Sequence, residues 1–451
     1  MKKLKFVSLL FMILFAASCT KDLLFDPSTQ LPDDANSLKS ASGKLKIAVV
    51  SDIHYMNPAL LPDDIATNPY FQYYLAKDPK LIELSDPIFR EVISELLVEK
   101  PDILLIPGDL TKDGELLNHE TVSGLLAQLA DAGIKVLVVP GNHDINNPEA
   151  LTYKDIPPSL VPTVTPEEFA AIYGDFGYND ALYRDENSLS YISQPFDNLW
   201  ILCIDACKYD ENTTTNEVGG AIKPGTMAWI QDKMAEAREN GIQVLAMMHH
   251  GIMEHYIGQN SLDPGYVIEN YQQNAMALMN AGIRVIFTGH YHANDIIEFT
   301  VNRKTLTDVE TGSLVTPLSP YRIATLDENY IKIETRRVTS IDVPWPEGLD
   351  FLTYSNLFLS GHLDGYFDYV LQNNYGIPAE LAGVVAPFLR RASMAHFAGD
   401  EKLGPVERKS INDLAQVAPS FLVDALNIYV IFTSHRLLRF GSRFRWFADI
   451  V

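Results

Sequence analysis

The chain has 451 residues, 47% of them hydrophobic and 10% aromatic, with a formal net charge of −23. That length holds about two or three domains, and the composition is globular. No long acidic block carries the charge, so the surface as a whole repels polyanions and long DNA or RNA is a poor default partner. A small phosphate ester stays open if a metal supplies local positive charge.

Residues 1–19 read as an export signal. Lys2, Lys3 and Lys5 precede FVSLLFMILFAAS, an apolar stretch too short to span a membrane, and small residues lead directly into Cys19. This resembles the lipobox of bacterial lipoproteins, which implies a lipid anchor at Cys19 and a cell-envelope location with the body in water. The plainer alternative is an ordinary cleaved signal. Residues 20–44 are polar and read as a tether.

From residue 45 to 340 the chain reads as one α/β unit. LKIAVVS, DILLIP and KVLVVP are short apolar runs of strand type, separated by the helical patterns PIFREVISELLVEK and LLNHETVSGLLAQLADAG. NLWILCID, IQVLAMM and IRVIFT continue the strands, with helical TMAWIQDKMAEAREN and NYQQNAMALMNA between them. Alternation of this kind predicts a sheet covered by helices. After residue 294, IIEFTVN, GSLVTP, YRIATLDE and YIKIETRRV predict a run of adjacent antiparallel strands. Residues 341–451 change character. VPWPEG reads as a linker, and three mostly helical stretches follow. The final stretch sets Arg436, Arg439, Arg443 and Arg445 among aromatics, as a surface helix, a frayed tail or a membrane-contacting segment. Cys203 and Cys207 are read as buried thiols, although an oxidising compartment would permit a disulfide between them.

Five apolar runs end in polar clusters. They are Ser-Asp-Ile-His with Asp52 and His54, Gly-Asp with Asp109, and Gly-Asn-His-Asp with Asn142, His143 and Asp144. The others are His249-His250 and Gly-His-Tyr-His with His290 and His292. Ligands of open α/β sheets bind beyond the carboxyl ends of strands, where all five clusters converge. Taken singly, each cluster is also ordinary turn chemistry or a satisfied core histidine. Among them Asp52, His54, Asp109, Asn142, His249, His290 and His292 make four His, two Asp and one Asn without a thiolate, a nitrogen-and-oxygen set suited to Mn, Fe or Zn. Seven donors exceed one tetrahedral ion and suffice for two divalent ions sharing a carboxylate.

The series DIH, GD, GNHD, HH, GHYH resembles the calcineurin-like metallophosphoesterase superfamily, most closely its bacterial exported and class III cyclic-nucleotide phosphodiesterase-like members. The resemblance implies a four-layer α/β/β/α sandwich, here followed by a C-terminal mostly helical segment. It implies that Asp52, His54 and His292 hold one metal, that Asn142, His249 and His290 hold the other, and that Asp109 bridges them. His143 would stand over the leaving group with Asp144 orienting it, and His250 would sit behind the ligands. The implied reaction is hydrolysis of a small phosphodiester, such as a cyclic nucleotide, by a hydroxide held between the metals.

Departures narrow the branch. GDLTKDG lacks the arginine of the protein phosphatases, and Lys112 stands where purple acid phosphatases carry tyrosine. A phosphomonoesterase or pyrophosphatase acting on sugar or lipid-headgroup phosphates, and a non-catalytic binding lipoprotein, remain as alternatives. The aromatic segment from Tyr55 to Asp86 reads either as a wall of the pocket or as an insertion covering the sheet edge. His255, in HHGIMEHY, lies within reach of the pocket by sequence.

Overall fold

The computed structural model describes residues 44–399 apart from 257, 328, 329 and 375. The export signal, most of the tether, the last predicted helix and the arginine-rich stretch lie outside the described residues. Three strands open the first sheet: β1 (Leu45–Val49), β2 (Ile103–Pro107) and β3 (Lys135–Val139). A ribbon of β4 (Leu151–Thr152) and β5 (Ser159–Leu160) follows, then β6 (Tyr183–Arg184), β7 (Tyr191–Phe196) and β8 (Leu199–Ile204). Next come β9 (Gln243–Met248), β10 (Val285–Thr288), β11 (Ile296–Val301), β12 (Lys304–Glu310), β13 (Pro320–Leu326) and β14 (Ile331–Arg337). The first sheet has the order β14-β13-β1-β2-β3, the second β11-β12-β10-β9-β8-β7-β6.

Period-two alternation explains how the two sheets stack. In β8, Leu199, Ile201 and Cys203 face the first sheet's core, whereas Trp200, Leu202 and Ile204 face the opposite layer. That opposite layer is made by α5 (Pro224–Glu239) and α6 (Tyr271–Ala281), through Ile230, Met234, Leu278 and Met279. On the far side of the first sheet lie α2 (Ser85–Glu99) and α3 (Leu116–Asp131), which pack Phe89, Val92, Leu126 and Leu129 against it. β2 is buried at every position, as a strand covered on both faces must be. Helix, sheet, sheet and helix therefore form four layers, as the family resemblance implies. Short helices lie outside them, among them α1 (Pro69–Leu75), capped by the Asn68 side chain, and α4 (Pro166–Ile172), which starts in a capping box.

The strands after residue 294 differ from the expectation. β11 and β12 form a hairpin turned by Asn302 and Arg303, both at positive φ, and join the second sheet through β10. β13 and β14 form another hairpin and join the first sheet through β1. GSLVTP is not a strand. It is the crossing between the sheets, held to the DIH loop by Leu314 N donating to Ser51 O at 3.1 Å. KTLTDVE was hidden as a strand because its buried Asp308 and Glu310 break the apolar pattern.

Two long helices end the described chain, α7 (Phe351–Tyr369) and α8 (Ala379–Ala398), joined by a π turn over Val370–Asn374. They pack on the α/β layers. Phe351 enters the main core, Tyr354 Oη donates to Glu83 Oε1 at 2.9 Å, and Arg337 Nη2 donates to Ala398 O at 2.9 Å. No helix among the described residues is long and apolar enough to cross a membrane.

Candidate metal centre

The five clusters meet at one place. β1, β2 and β3 run parallel, as do β9 and β10, so their carboxyl ends lie on one edge of the stacked sheets. Asp52, His54, Asp109 and His292 present ligand atoms within 4.8 Å of one another, and so do Asp109, His249 and His290. Asp109 belongs to both groups, the position from which a carboxylate bridges two ions. Asn142 joins the second group, its Oδ1 3.0 Å from His249 Nε2. All of these residues are buried except the partly buried His292.

Backbone conformation aims them. Asp52, His54, Asp109, His290 and His292 have φ of 52°, 41°, 50°, 74° and 63°. A non-glycine residue held there costs about 1–3 kcal/mol, and such strain persists where the surroundings over-determine it. Glycine makes the approach possible. A β-carbon on Gly108 would lie 2.7 Å from both Gly141 N and His249 Nδ1, and one on Gly141 or Gly289 would overlap Asp109 or Asp52.

The donor set fits cations. His249 Nδ1 lies 2.8 Å from Pro107 O and must donate there, which leaves Nε2 as an acceptor facing Asn142 Oδ1 and, at 3.4 Å, Asp109 Oδ2. His54 Nε2 faces His292 Nε2 at 3.2 Å and Asp109 Oδ2 at 3.6 Å. Around His249, acceptors facing acceptors in a buried site are favourable only around positive charge. Without an ion, protons meet the same demand. Burial opposes charge on His249, but Asp109 beside it pushes its pKa up to about 9. Burial likewise opposes charge on Asp109, yet the imidazoles of His249 and His143 hold it well below the usual carboxylate range.

His143 stands beside this group, its ring 4.9 Å from that of His54 and its side chain 22% exposed. The contact expected from Asp144 is made by another residue. Asp113 Oδ1 lies 2.8 Å from His143 Nδ1, while Lys112 bonds the other Asp113 oxygen. Burial would raise the Asp113 pKa, but Lys112 and His143 pull it down to about 2. Asp144 does not face the His143 ring. Its carboxylate accepts from Gly141 N, Leu110 N, Thr111 N and Thr111 Oγ1 at 2.8–3.2 Å, so it ties the GD turn to the GNHD turn. A buried carboxylate collects the nearest unpaired amides, and two tight turns offer more of them than one ring does. In the sequence, the visible sign of Asp113 was only its place four residues after Asp109.

His250 faces away. Its Nε2 lies 3.0 Å from Val218 O, and burial next to His249 lowers its pKa to about 3, so it is neutral behind the ligands. His255 does not reach the centre. It turns into a buried carboxylate cluster, with Nδ1 2.9 Å from Asp295 and Nε2 3.3 and 3.2 Å from Asp308 and Glu310. Cys203 and Cys207 are buried free thiols, and Cys207 Sγ backs the GNHD loop at 3.3 Å from Pro140 O. One cationic neighbour was missed by sequence reading. Lys80 is 9% exposed, pairs with Asp78 at 3.2 Å, and borders the same cavity as His292. It sits inside the long aromatic segment, where no motif marks it.

The family model for calcineurin-like phosphoesterases matches residues 45–294, more than half of the chain. The chain belongs to the calcineurin-like phosphoesterases. This family consists of dimetal-dependent hydrolases of phosphoester bonds, and the match covers all five clusters at the strand ends. It stops before β11, so α7 and α8 lie beyond it. A probable cyclic nucleotide phosphodiesterase of Ruthia magnifica subsp. Calyptogena magnifica is 38% identical over 58 residues, 13% of this chain and 24% of that protein. A probable cyclic nucleotide phosphodiesterase of Vesicomyosocius okutanii subsp. Calyptogena okutanii (strain HA) is 34% identical over 64 residues, 14% of this chain and 26% of that one. The chain thus spans about a quarter of the length of these curated relatives. A dimetal phosphatase from Danio rerio superposes with a TM-score of 0.46 at 14% identity, covering 65% of this chain and 96% of that one.

Proposed function

We propose that this phosphoesterase hydrolyses a small phosphodiester, with a cyclic nucleotide or another nucleotide-derived diester as the favoured substrate class. The observation that carries the reading is the convergence of seven nitrogen and oxygen donors around a shared Asp109. Two relatives named as probable cyclic nucleotide phosphodiesterases, each matched over about a quarter of its length, support the diester choice. Asp52, His54 and His292 would hold one divalent ion, Asn142, His249 and His290 the other, and Asp109 would serve both. Mn, Fe or Zn suits this set. When bound, such ions supply Lewis acidity, which activates water at neutral pH and neutralises charge on the phosphoryl oxygens.

The chain's own residues do the rest. Asp109, held as a carboxylate, keeps the two ligand groups at fixed spacing. Asp113 fixes the His143 ring through Nδ1, leaving Nε2 to hand a proton to the departing alkoxide. Asp144 holds the turns that carry Asp109 and Asn142 in register.

The test compares bis(4-nitrophenyl) phosphate with 4-nitrophenyl phosphate on Mn²⁺-loaded protein, beside Asp109→Asn. Faster diester turnover that disappears in the variant supports the reading. Faster monoester turnover would make the protein a phosphomonoesterase. No turnover of either ester with two ions bound would point to a binding protein. We also place the protein in the cell envelope, held by a lipid on Cys19. Membrane-fraction protein that Cys19→Ser releases is the expected result, and an unchanged distribution would remove the anchor.

A further inference from the structure

A cavity of about 850 Å³ opens beside the metal centre, with His292 and Lys80 on its border. That volume lies within the range of ligand pockets, about 300–1,000 Å³. Segments far apart in sequence build it, among them the β4–β5 ribbon with Tyr153 and the turn that carries His292. The long aromatic segment gives Tyr70, Tyr73 and Tyr74, the loop after β9 gives Tyr266, and the helical hairpin gives Tyr366 and Phe397. Tyr70, Tyr73 and Tyr366 are 44%, 62% and 41% exposed. Large aromatic side chains left open around one hollow mark a binding surface rather than a core. Tyr266 lies over the ring of the candidate ligand His290, centroids 4.8 Å apart and planes 33° apart, so the aromatic lining runs up to the metals.

The acidic groups of this cavity are already engaged, and Lys77 Nζ lies 4.3 Å from the centre of the Tyr73 ring. Lys80 pairs with Asp78, which also accepts from Tyr74 Oη at 3.0 Å. Asp263 accepts from Tyr256 Oη at 2.5 Å and from Tyr291 Oη at 3.3 Å. Flat rings around carboxylates that are already committed recognise a partner by stacking, which reads the face of a ring and tolerates differences at its edge. Lys80, buried at the end nearest His292, adds positive charge where an anionic phosphoryl group would lie.

We propose that the aromatic segment and the helical hairpin together form a binding pocket for a planar aromatic arm of the phosphodiester, the ester group that stays on phosphorus. The arm stacks among Tyr73, Tyr366 and Phe397 while the phosphoryl group faces Lys80 and the metal centre. The helices beyond the family match therefore select substrate. This inference rests on the phosphodiesterase reading and deepens it by naming the arm's chemistry.

The experiment uses the full chain loaded with Mn²⁺ and two diesters with the same 4-nitrophenolate leaving group, methyl 4-nitrophenyl phosphate and 1-naphthylmethyl 4-nitrophenyl phosphate. The expected kcat/KM ratio favours the naphthylmethyl ester by about ten- to a hundred-fold, the range of one stacked ring. Tyr73→Ala and Phe397→Ala each bring that ratio down several-fold, whereas Leu357→Ala, at an exposed position of α7, leaves it unchanged. Tyr73 is the variant least exposed to folding failure because most of its side chain is already in solvent. A second readout needs no turnover: the naphthalene fluorescence of 1-naphthylmethyl phosphonate, titrated with metal-free protein. Saturable binding weakened by Phe397→Ala supports the pocket even if neither ester is cleaved, and in that case the phosphodiesterase reading falls alone. Equal kcat/KM for the two esters overturns the pocket while the phosphodiesterase reading stands. Phosphonate binding that neither aromatic variant changes overturns it as well.

Discussion

The metal centre and the aromatic pocket meet at His292 but are assembled differently. Each candidate ligand sits within five residues of the end of a strand, on turns where glycine or left-handed backbone leaves little freedom. The pocket walls come from residues 70–80, 151–158, 263–266, 291–292 and 363–397, brought together by packing on the α/β layers. The first region owes its geometry to short-range chain sterics, the second to long-range burial. Changes at the centre should therefore abolish chemistry, and changes at the pocket should redistribute it among substrates.

Asp109→Asn gives the sharpest test of that contrast. Removing the charge shared by both ligand groups should lower diester turnover by about a thousand-fold or more and reduce Mn²⁺ stoichiometry from two. The fold should survive, because amide and carboxylate have the same shape. Full activity with two ions bound would mean that Asp109 does not join the two groups.

His143 and its partner come next. His143→Ala should slow an alkyl leaving group by about 10²–10⁴-fold while hardly affecting 4-nitrophenolate, which needs no proton. Asp113→Asn should reproduce part of that leaving-group dependence through His143 Nδ1. Asp144→Ala should not, and should instead destabilise the fold by roughly 3–5 kcal/mol, since four buried donors lose their acceptor. Steeper leaving-group dependence in Asp144→Ala than in Asp113→Asn would restore the role first read for Asp144.

These contrasts follow the line between what could and could not be read in the chain. The strand-end clusters were legible because Asp-Ile-His, Gly-Asn-His-Asp and Gly-His-Tyr-His each follow an apolar run, and strand direction alone sends them to one edge. The strands LKIAVVS, DILLIP, KVLVVP, NLWILCID, IQVLAMM and IRVIFT were legible from the same runs. Asp113 was not, because a carboxylate four residues past Asp109 carries no periodic signal, and its partner is set by how the GNHD turn packs. Lys80 was hidden for a related reason: the cavity it borders is shared with Tyr266, His292 and Leu363, far along the chain. The pairing of β12 with β10 rather than with β13 was also out of reach, since buried Asp308 and Glu310 make that strand look like a loop.

Those two acids frame the smallest expected effect. Glu310 is fully buried against His255, Asp308 and Asp295, and Arg322 Nη2 donates to its backbone oxygen at 2.8 Å. Burial first, then the neighbouring Asp308 and Asp295, raise its pKa to about 8 despite His255. His255 is itself raised well above its ordinary value, because Glu310 and Asp308 outweigh its burial. Both groups thus take up protons on folding. For Glu310 this stabilisation is complete below the unfolded carboxyl value of about 4.3 and is lost as pH rises through about 8. The cluster joins β12 to the loops that leave β9 and β10, so its loosening should be felt as melting rather than as altered selectivity between esters. In chelator-treated protein, the melting temperature should fall from pH 5 to pH 8, and Glu310→Gln, which cannot ionise, should flatten that fall. Equal slopes in the two proteins would mean that the charge of Glu310 is already compensated in the folded state by the cations facing it.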